Sequence, residues 1–194
     1  MKRRTFDKIV SWGGLTLAAL LVIAGSLLTW AHNFVGNEVH SQLAAQKIYF
    51  PPKGSDAIKA PEFKAMQQYA GKQLTTGAQA EVYADHFIAN HLKEIGGGQT
   101  YAQLSAKAMA APTDTKLAGE VATAFKGETL RGMLLNAYAF DTMGQLALIS
   151  SIVAFSGAGL MLVLSGLGLW HSRKVSPDEV IRRHKGAKDA TVTV

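Results

Sequence analysis

The chain has 194 residues and no cysteine. That absence excludes a disulfide scaffold, thiol catalysis, Cys-ligated zinc and iron–sulfur clusters. It leaves the compartment open, because exported proteins also exist without disulfides. Charge is missing too, over two long stretches. Ile9–Asn37, a run of 29 residues, and Thr142–Ser172, a run of 31, contain no Asp, Glu, Lys or Arg. Each exceeds the roughly 20 residues that cross a bilayer as a helix. The length allows one ordinary domain. The net charge of +6 suggests an acidic polymer as partner, but two such runs exclude a soluble nucleic-acid-binding domain. The composition is that of a two-span membrane protein.

The basic residues lie at the ends. Residues 1–8 carry +3, residues 33–141 carry zero with ten charges of each sign, and residues 173–194 carry +3. Positive flanks stay on the cytoplasmic side of a span. Both termini are therefore expected in the cytoplasm of a bacterial cell, with 109 residues outside the plasma membrane. The expected boundaries are a basic N-terminus at 1–8, spans at 9–32 and 142–172, an extracytoplasmic helical cap at 33–141, and a basic tail at 173–194. Trp12 and Trp30 bracket the first span, about 27 Å apart along a helix. Trp170 stands beside Arg173 at the inner end of the second, as interfacial aromatic belts favour. A cleaved signal peptide is the competing reading of the first run. Its apolar stretch is longer than the 7–15 residues of a signal h-region, and no A-x-A site follows.

Between the spans the patterning is helical. Phe34, Val35, Val39 and Leu43 extend the first helix past the membrane, until Pro51 and Pro52 forbid it. Pro61 opens a helix to about Ala70, and Gly71 ends it. Gly77 to Ile95 carries an apolar stripe of Ala80, Val82, Tyr83, Phe87, Ile88, His91, Leu92 and Ile95. Gly96-Gly97-Gly98 terminates that helix, and Thr100 caps the next, Tyr101 to Ala110. Asp114 caps a helix from Thr115 to Phe125. After a hinge at Gly127, Glu128 to Trp170 runs into the second span. The fold class expected is all-α, with strand-like content confined to the Ile48 region and a helical turn or two at Pro177–Ile181.

Three stretches carry a family resemblance: Gly77-Ala78-Gln79-Ala80-Glu81-Val82-Tyr83-Ala84-Asp85-His86-Phe87-Ile88-Ala89-Asn90-His91-Leu92, Gly98-Gln99-Thr100-Tyr101-Ala102-Gln103-Leu104, and Thr129-Leu130-Arg131-Gly132-Met133-Leu134-Leu135. With the glycine-rich span that follows, they resemble the two-span actinobacterial membrane proteins of unknown function. The resemblance covers about residues 5–172 and implies two spans with a helical segment between them. The chain departs from the pattern by a longer insert around 105–127 and a longer basic tail. Some members bear the name aromatic ring-opening dioxygenase, but no catalytic motif for that chemistry accompanies the resemblance.

Candidate chemistry is sparse. Asp85, His86 and His91 form the most metal-like group, the donor set of a non-haem iron site. On an α-helix His86 and His91 stand about 140° apart, so they do not converge as an i, i+4 pair would. His91 falls on the apolar stripe and reads as packing. His32 and His40 read as solvated interfacial histidines. No Gly-x-Ser-x-Gly is present, and Gly96-Gly97-Gly98-Gln99-Thr100 lacks the ending of a phosphate loop. The absence of ionisable groups within the spans, apart from His32 and His171 at their ends, argues against a proton or ion pathway. Rows of small residues, Gly14 with Ala18 and Ser150 with Ala154 and Ala158, allow close helix approach. The expected function is a non-enzymatic accessory or structural subunit without metal or cofactor. Its partners would be the lipid bilayer and other membrane proteins, not nucleic acid. Tyr83, Phe87, His91, Leu130, Arg131 and Tyr138 are the positions expected to serve cap packing or partner contact. The alternative is an extracytoplasmic ligand or metal binder using Asp85, His86 and His91.

Overall fold

The computed structural model describes residues 3–174; the tail expected at 175–194, with its turn at Pro177–Ile181, lies outside the described residues. The elements in order are α1 (Arg3–Ala45), 3-10 helices at Asp56–Ile58 and Pro61–Tyr69, α2 (Gly77–Val82), a π-helical turn (Tyr83–Ile88), α3 (Ala89–Ile95), α4 (Tyr101–Ala110) and α5 (Thr115–Lys174). Among the described residues there is no strand, only one antiparallel bridge between Tyr49 and Gln73. The chain divides into two compact units, Met1–Leu28 with Ser150–Val194, and Thr29–Ile149.

The first unit pairs stretches of α1 and α5. Its buried positions recur every seven residues on α1, at Ser11, Ala18 and Gly25, and by steps of three, four, seven and seven on α5, at Ser151, Ala154, Ala158, Ser165 and Ser172. That spacing keeps one seam facing a neighbouring helix. The seam is made of small side chains, which lets the backbones come close. A Cβ at Gly14 would collide with the Ser165 hydroxyl, and one at Gly168 with the Ser11 hydroxyl. The two serine-on-glycine contacts are reciprocal and antiparallel. Outside the seam the helices expose Leu20, Ile23, Leu27, Val153, Leu160 and Val163.

The second unit has a conventional core. Val39 and Leu43 of α1 meet Phe50, Ile58, Phe63, Met66, Leu74, Ala80, Ala84, Ile88 and Leu134. α1 ends where Lys47 takes a positive φ of 53° and its N–H bonds the Ala44 carbonyl at 3.1 Å. The Gln73 side-chain amide donates to the same carbonyl at 2.8 Å, satisfying an acceptor that the helix end orphans. The extended Ile48–Phe50 segment is tied to the chain after Gly71 by Phe50 N–H to Lys72 O and Leu74 N–H to Ile48 O, both 2.9 Å. Pro61–Tyr69 is a nine-residue 3-10 helix rather than the expected ordinary helix. The Gln67 side-chain amide reaches back to the Ile58 carbonyl at 2.5 Å and closes its start.

Capping boxes set two helix starts, Thr76 with Gln79 and Thr100 with Gln103. In each, the threonine hydroxyl accepts from the backbone at the third helical position and the glutamine returns the bond. Gly97 and Gly98 take φ of 56° and 80°, and Gly98 N–H bonds Lys93 O at 2.8 Å, so the glycine run ends α3 as its sequence predicts. Asp114 accepts from Leu117 N–H at 3.0 Å and starts α5. α5 then runs unbroken for 60 residues. The hinge expected at Gly127 is absent. Glycine costs a helix only about 1 kcal/mol, and here it meets a packing need: a Cβ at Gly127 would lie 2.5 Å from Leu92 Cδ2.

Candidate functional site

Tyr83, Asp85, His86, Phe87, His91, Leu130 and Arg131 gather around the π-helical turn Tyr83–Ile88, and Tyr138 does not. The turn inserts extra backbone into an otherwise α-helical stretch, a feature often found at functional sites. The Phe87 and His91 rings meet at a tilt of 44° with centroids 4.4 Å apart, Tyr83 and Phe87 at 42° and 4.9 Å, and Phe50 meets Tyr83 edge-on at 5.3 Å. Phe63 closes the group against Phe87 and His91. Tyr83, Phe87 and Leu130 pack against the unit core. Burial pushes the Tyr83 phenol above the ordinary tyrosine range by desolvating its anion. Tyr138 is half-buried; its carbonyl accepts from the Thr142 hydroxyl at 2.9 Å.

Arg131 of α5 reaches Asp85 of the turn, Nη2 to Oδ1 at 2.7 Å. The pair spans 46 residues of sequence and ties the turn to α5. His86, Asn90 and His91 are engaged as well. His86 Nδ1 lies 3.2 Å from the Glu62 carbonyl, and His91 Nδ1 lies 2.7 Å from the Phe87 carbonyl. A carbonyl only accepts, so Nδ1 of each ring carries the proton and Nε2 keeps the lone pair when the ring is neutral. The Asn90 amide donates to the His86 carbonyl at 2.7 Å. Asp85, His86 and His91 therefore answer to three different partners. Among the described residues no group of three or more His, Asp or Glu is arranged to hold a metal ion.

His32 departs from its sequence reading. It is half-buried, and its Nδ1 donates to the Gly144 carbonyl of α5 at 2.9 Å. The close approach is possible because Gly144 has no side chain; a Cβ there would meet Val35 Cγ1 at 3.3 Å. His40 is exposed, as read. The small-residue row is also shifted in part. Ala18, Ala154 and Ala158 are buried and Gly14 lies against Ser165, but Ser150 is exposed and its neighbour Ser151 takes the buried position. A row continued in steps of four drifts off a seam that recurs every seven residues.

One contact of this unit has no signal in the sequence. Gly77, the first residue of α2, is covered by Asp141; a Cβ there would lie 2.8 Å from the carboxylate carbon. An anion at a helix N-terminus is favourably placed. The Thr76–Gln79 box was legible as T-x-x-Q ahead of an apolar run. The Asp141 contact was not, because it joins residues far apart in the chain.

Several hollows open on this unit, and two of them are walled mainly by apolar side chains. One, of about 310 Å³, lies beside His91 and is walled by Phe87, Leu92 and Leu130, with Thr123 and Lys126 at its edge. The other, of about 340 Å³, runs between α1 and α5 and is lined by Phe34, Val39, Met133 and Phe140, with Glu38 and Gln42 along one side. Asp85, His86 and His91 are each held by a neighbour in the fold.

Compared with known proteins, the chain matches no family model, no curated protein and no solved structure. The resemblance to two-span actinobacterial membrane proteins rests on the quoted residues alone.

Proposed function

We propose that this chain is an integral membrane protein of the bacterial plasma membrane. Two spans anchor a helical extracytoplasmic unit, which acts as an accessory subunit for other envelope proteins and not as an enzyme. One observation carries the membrane reading. α1 and α5 each contain an 18-residue stretch of high mean hydropathy, 1.9 and 2.2, of which only 11% is buried. A core helix of a soluble protein hides such a stretch; a continuous exposed apolar surface needs lipid or a partner. The charge division of +3, 0 and +3 supports cytoplasmic termini. Engagement of Asp85, His86 and His91 by structural partners supports a binding rather than a catalytic role.

Alkaline carbonate extraction and reporter fusions at Met1, Gly98 and Val194 test the anchor. The chain is expected to stay with the membrane, with the Gly98 reporter outside. Release into the soluble fraction, or an inward Gly98, would refute it. Purification of the full chain in mild detergent with mass spectrometry tests the accessory role, and a chain that runs alone as a monomer would refute that.

A second reading, ligand or metal binding by the outer unit, is favoured by the hollow beside His91 and Lys126. Metal analysis of the purified chain and of the His86→Ala and His91→Ala variants decides it. Stoichiometric metal lost in both variants would establish it.

A further inference from the structure

The hollow between α1 and α5 has the composition of an amphiphile site. Its walls are apolar, and three of the side chains that form them are more exposed than a soluble surface favours: Phe34 at 55%, Met133 at 60% and Phe140 at 57%. Val39 is buried beneath them. Phe34 follows the first expected span by two residues, and Phe140 precedes the second by two. Under the two-span reading, on which this inference rests, the hollow opens at the outer surface of the bilayer, where an acyl chain can enter without crossing water.

Its polar side defines the headgroup. Gln42 Nε2 donates to Glu38 Oε1 at 2.7 Å. The second oxygen of Glu38 and the amide oxygen of Gln42 are left as acceptors, with one net negative charge. Among the described residues no Lys or Arg lines the hollow. A row of acceptors with a carboxylate suits a group that brings several N–H donors and a positive charge, as an ammonium does. It opposes a headgroup whose only charge is negative.

We infer that this hollow binds the acyl chain of an outer-leaflet lipid whose headgroup carries a protonated amine, the amine resting on Glu38 and Gln42. The occupant is a lipid and not a partner's helix because the hollow adjoins the outer ends of both expected spans, through Phe34 and Phe140, where lipid chains are already at hand.

The test uses the full chain in phosphatidylcholine vesicles that contain a diazirine-chain phosphatidylethanolamine or, in a parallel arm, a diazirine-chain phosphatidylglycerol. Labelled positions are read by peptide mass spectrometry. Labelling of Met133 and Phe140 is expected to favour the amine lipid by about fivefold, the size of an exposed charge interaction. The exposed span residues Leu160 and Val163 are expected to label equally in both arms. Glu38→Gln should bring the ratio at Met133 close to one, and Met133→Trp, which fills the hollow, should remove labelling at Phe140. Equal labelling of Met133 by the two lipids, or a ratio unchanged in Glu38→Gln, overturns the inference. So does an unlabelled hollow in which a photoreactive residue replacing Met133 crosslinks a second polypeptide. Loss of label from Leu160 and Val163 as well would instead sink the two-span reading itself.

Discussion

Three glycines of α5 lie within 14 residues of one another, Gly119, Gly127 and Gly132, and the structure assigns them opposite responses to the same substitution. An alanine at Gly119 or Gly132 meets nothing within 4 Å. There the change removes the conformational freedom of glycine and is expected to stabilise by about 0.5–1 kcal/mol. An alanine at Gly127 gains the same propensity but places its methyl 2.5 Å from Leu92 Cδ2 and 3.0 Å from Cγ. Leu92 packs against the core of its unit, so making room costs about 1–3 kcal/mol. Gly127→Ala is therefore expected to fall at least about 1 kcal/mol below Gly119→Ala and Gly132→Ala, or about 2–4 °C in melting temperature. The assay is thermal unfolding of each full-length variant in the same detergent, followed by circular dichroism at 222 nm. Leu92→Ala supplies the control. In that background the obstructing atoms are gone, and Gly127→Ala should turn neutral or stabilising, a coupling that independent sites would not show. If Gly127→Ala stabilises as much as its two companions, Leu92 does not occupy the notch and the reading of Gly127 as a packing position fails. A hinge would give another pattern, with alanine stiffening the helix and no dependence on residue 92.

Because the chain is free of cysteine, the seam of the first unit can be tested by crosslinking. A Cβ at Gly14 would stand 3.6 Å from Ser165 Cβ, as would one at Gly168 from Ser11 Cβ, within the spacing of a disulfide. Gly14→Cys with Ser165→Cys, and Ser11→Cys with Gly168→Cys, should each close on mild oxidation, visible as a gel shift reversed by reductant. Gly13→Cys with Ser165→Cys should stay open, and equal closure of all three pairs would refute the register. Removing either partner of the Asp85–Arg131 pair should lower stability modestly. Both side chains are more than a third exposed, so screening limits the loss to about 1 kcal/mol. A melting loss in Asp85→Asn that persists undiminished in high salt would argue against an ionic origin. The raised phenol of Tyr83 predicts an alkaline effect. The unfolded chain ionises at the ordinary value while the folded phenol resists, so its contribution is complete below about pH 10 and declines as pH rises through the folded value. Tyr83→Phe keeps the ring contacts and should melt with a shallower alkaline decline, and identical slopes would contradict the assignment.

Much of the architecture follows from local chemistry. The charge-free runs, the prolines at 51 and 52, the glycines at 96–98 and the caps at Thr100 and Asp114 act within a few residues of themselves, so they are readable without a structure. The stripe of Tyr83, Phe87 and His91 is visible for the same reason. Helical periodicity places these residues on one side, and their rings do meet, at a tilt. Local rules give less at Pro61–Tyr69 and at the π-helical turn. Neighbouring helix types differ there by little energy, and packing chooses between them.

What the tertiary structure decided is everything that depends on register between distant segments. Gly127 reads as a hinge until Leu92 is seen beside it. His32 reads as solvated until Gly144, 112 residues away, offers its carbonyl. Ser150 and Ser151 are equally small, and only the facing helix selects the second. The amphiphile hollow belongs with these, since Phe34 lies far in sequence from Met133 and Phe140. The sequence by itself determined where charge is absent, where helices stop and which faces are apolar, because those properties are sums over neighbours in the chain. Which glycine is a notch, which histidine is bonded and where a groove remains are set by pairings between segments far apart in sequence, and no local sum contains them.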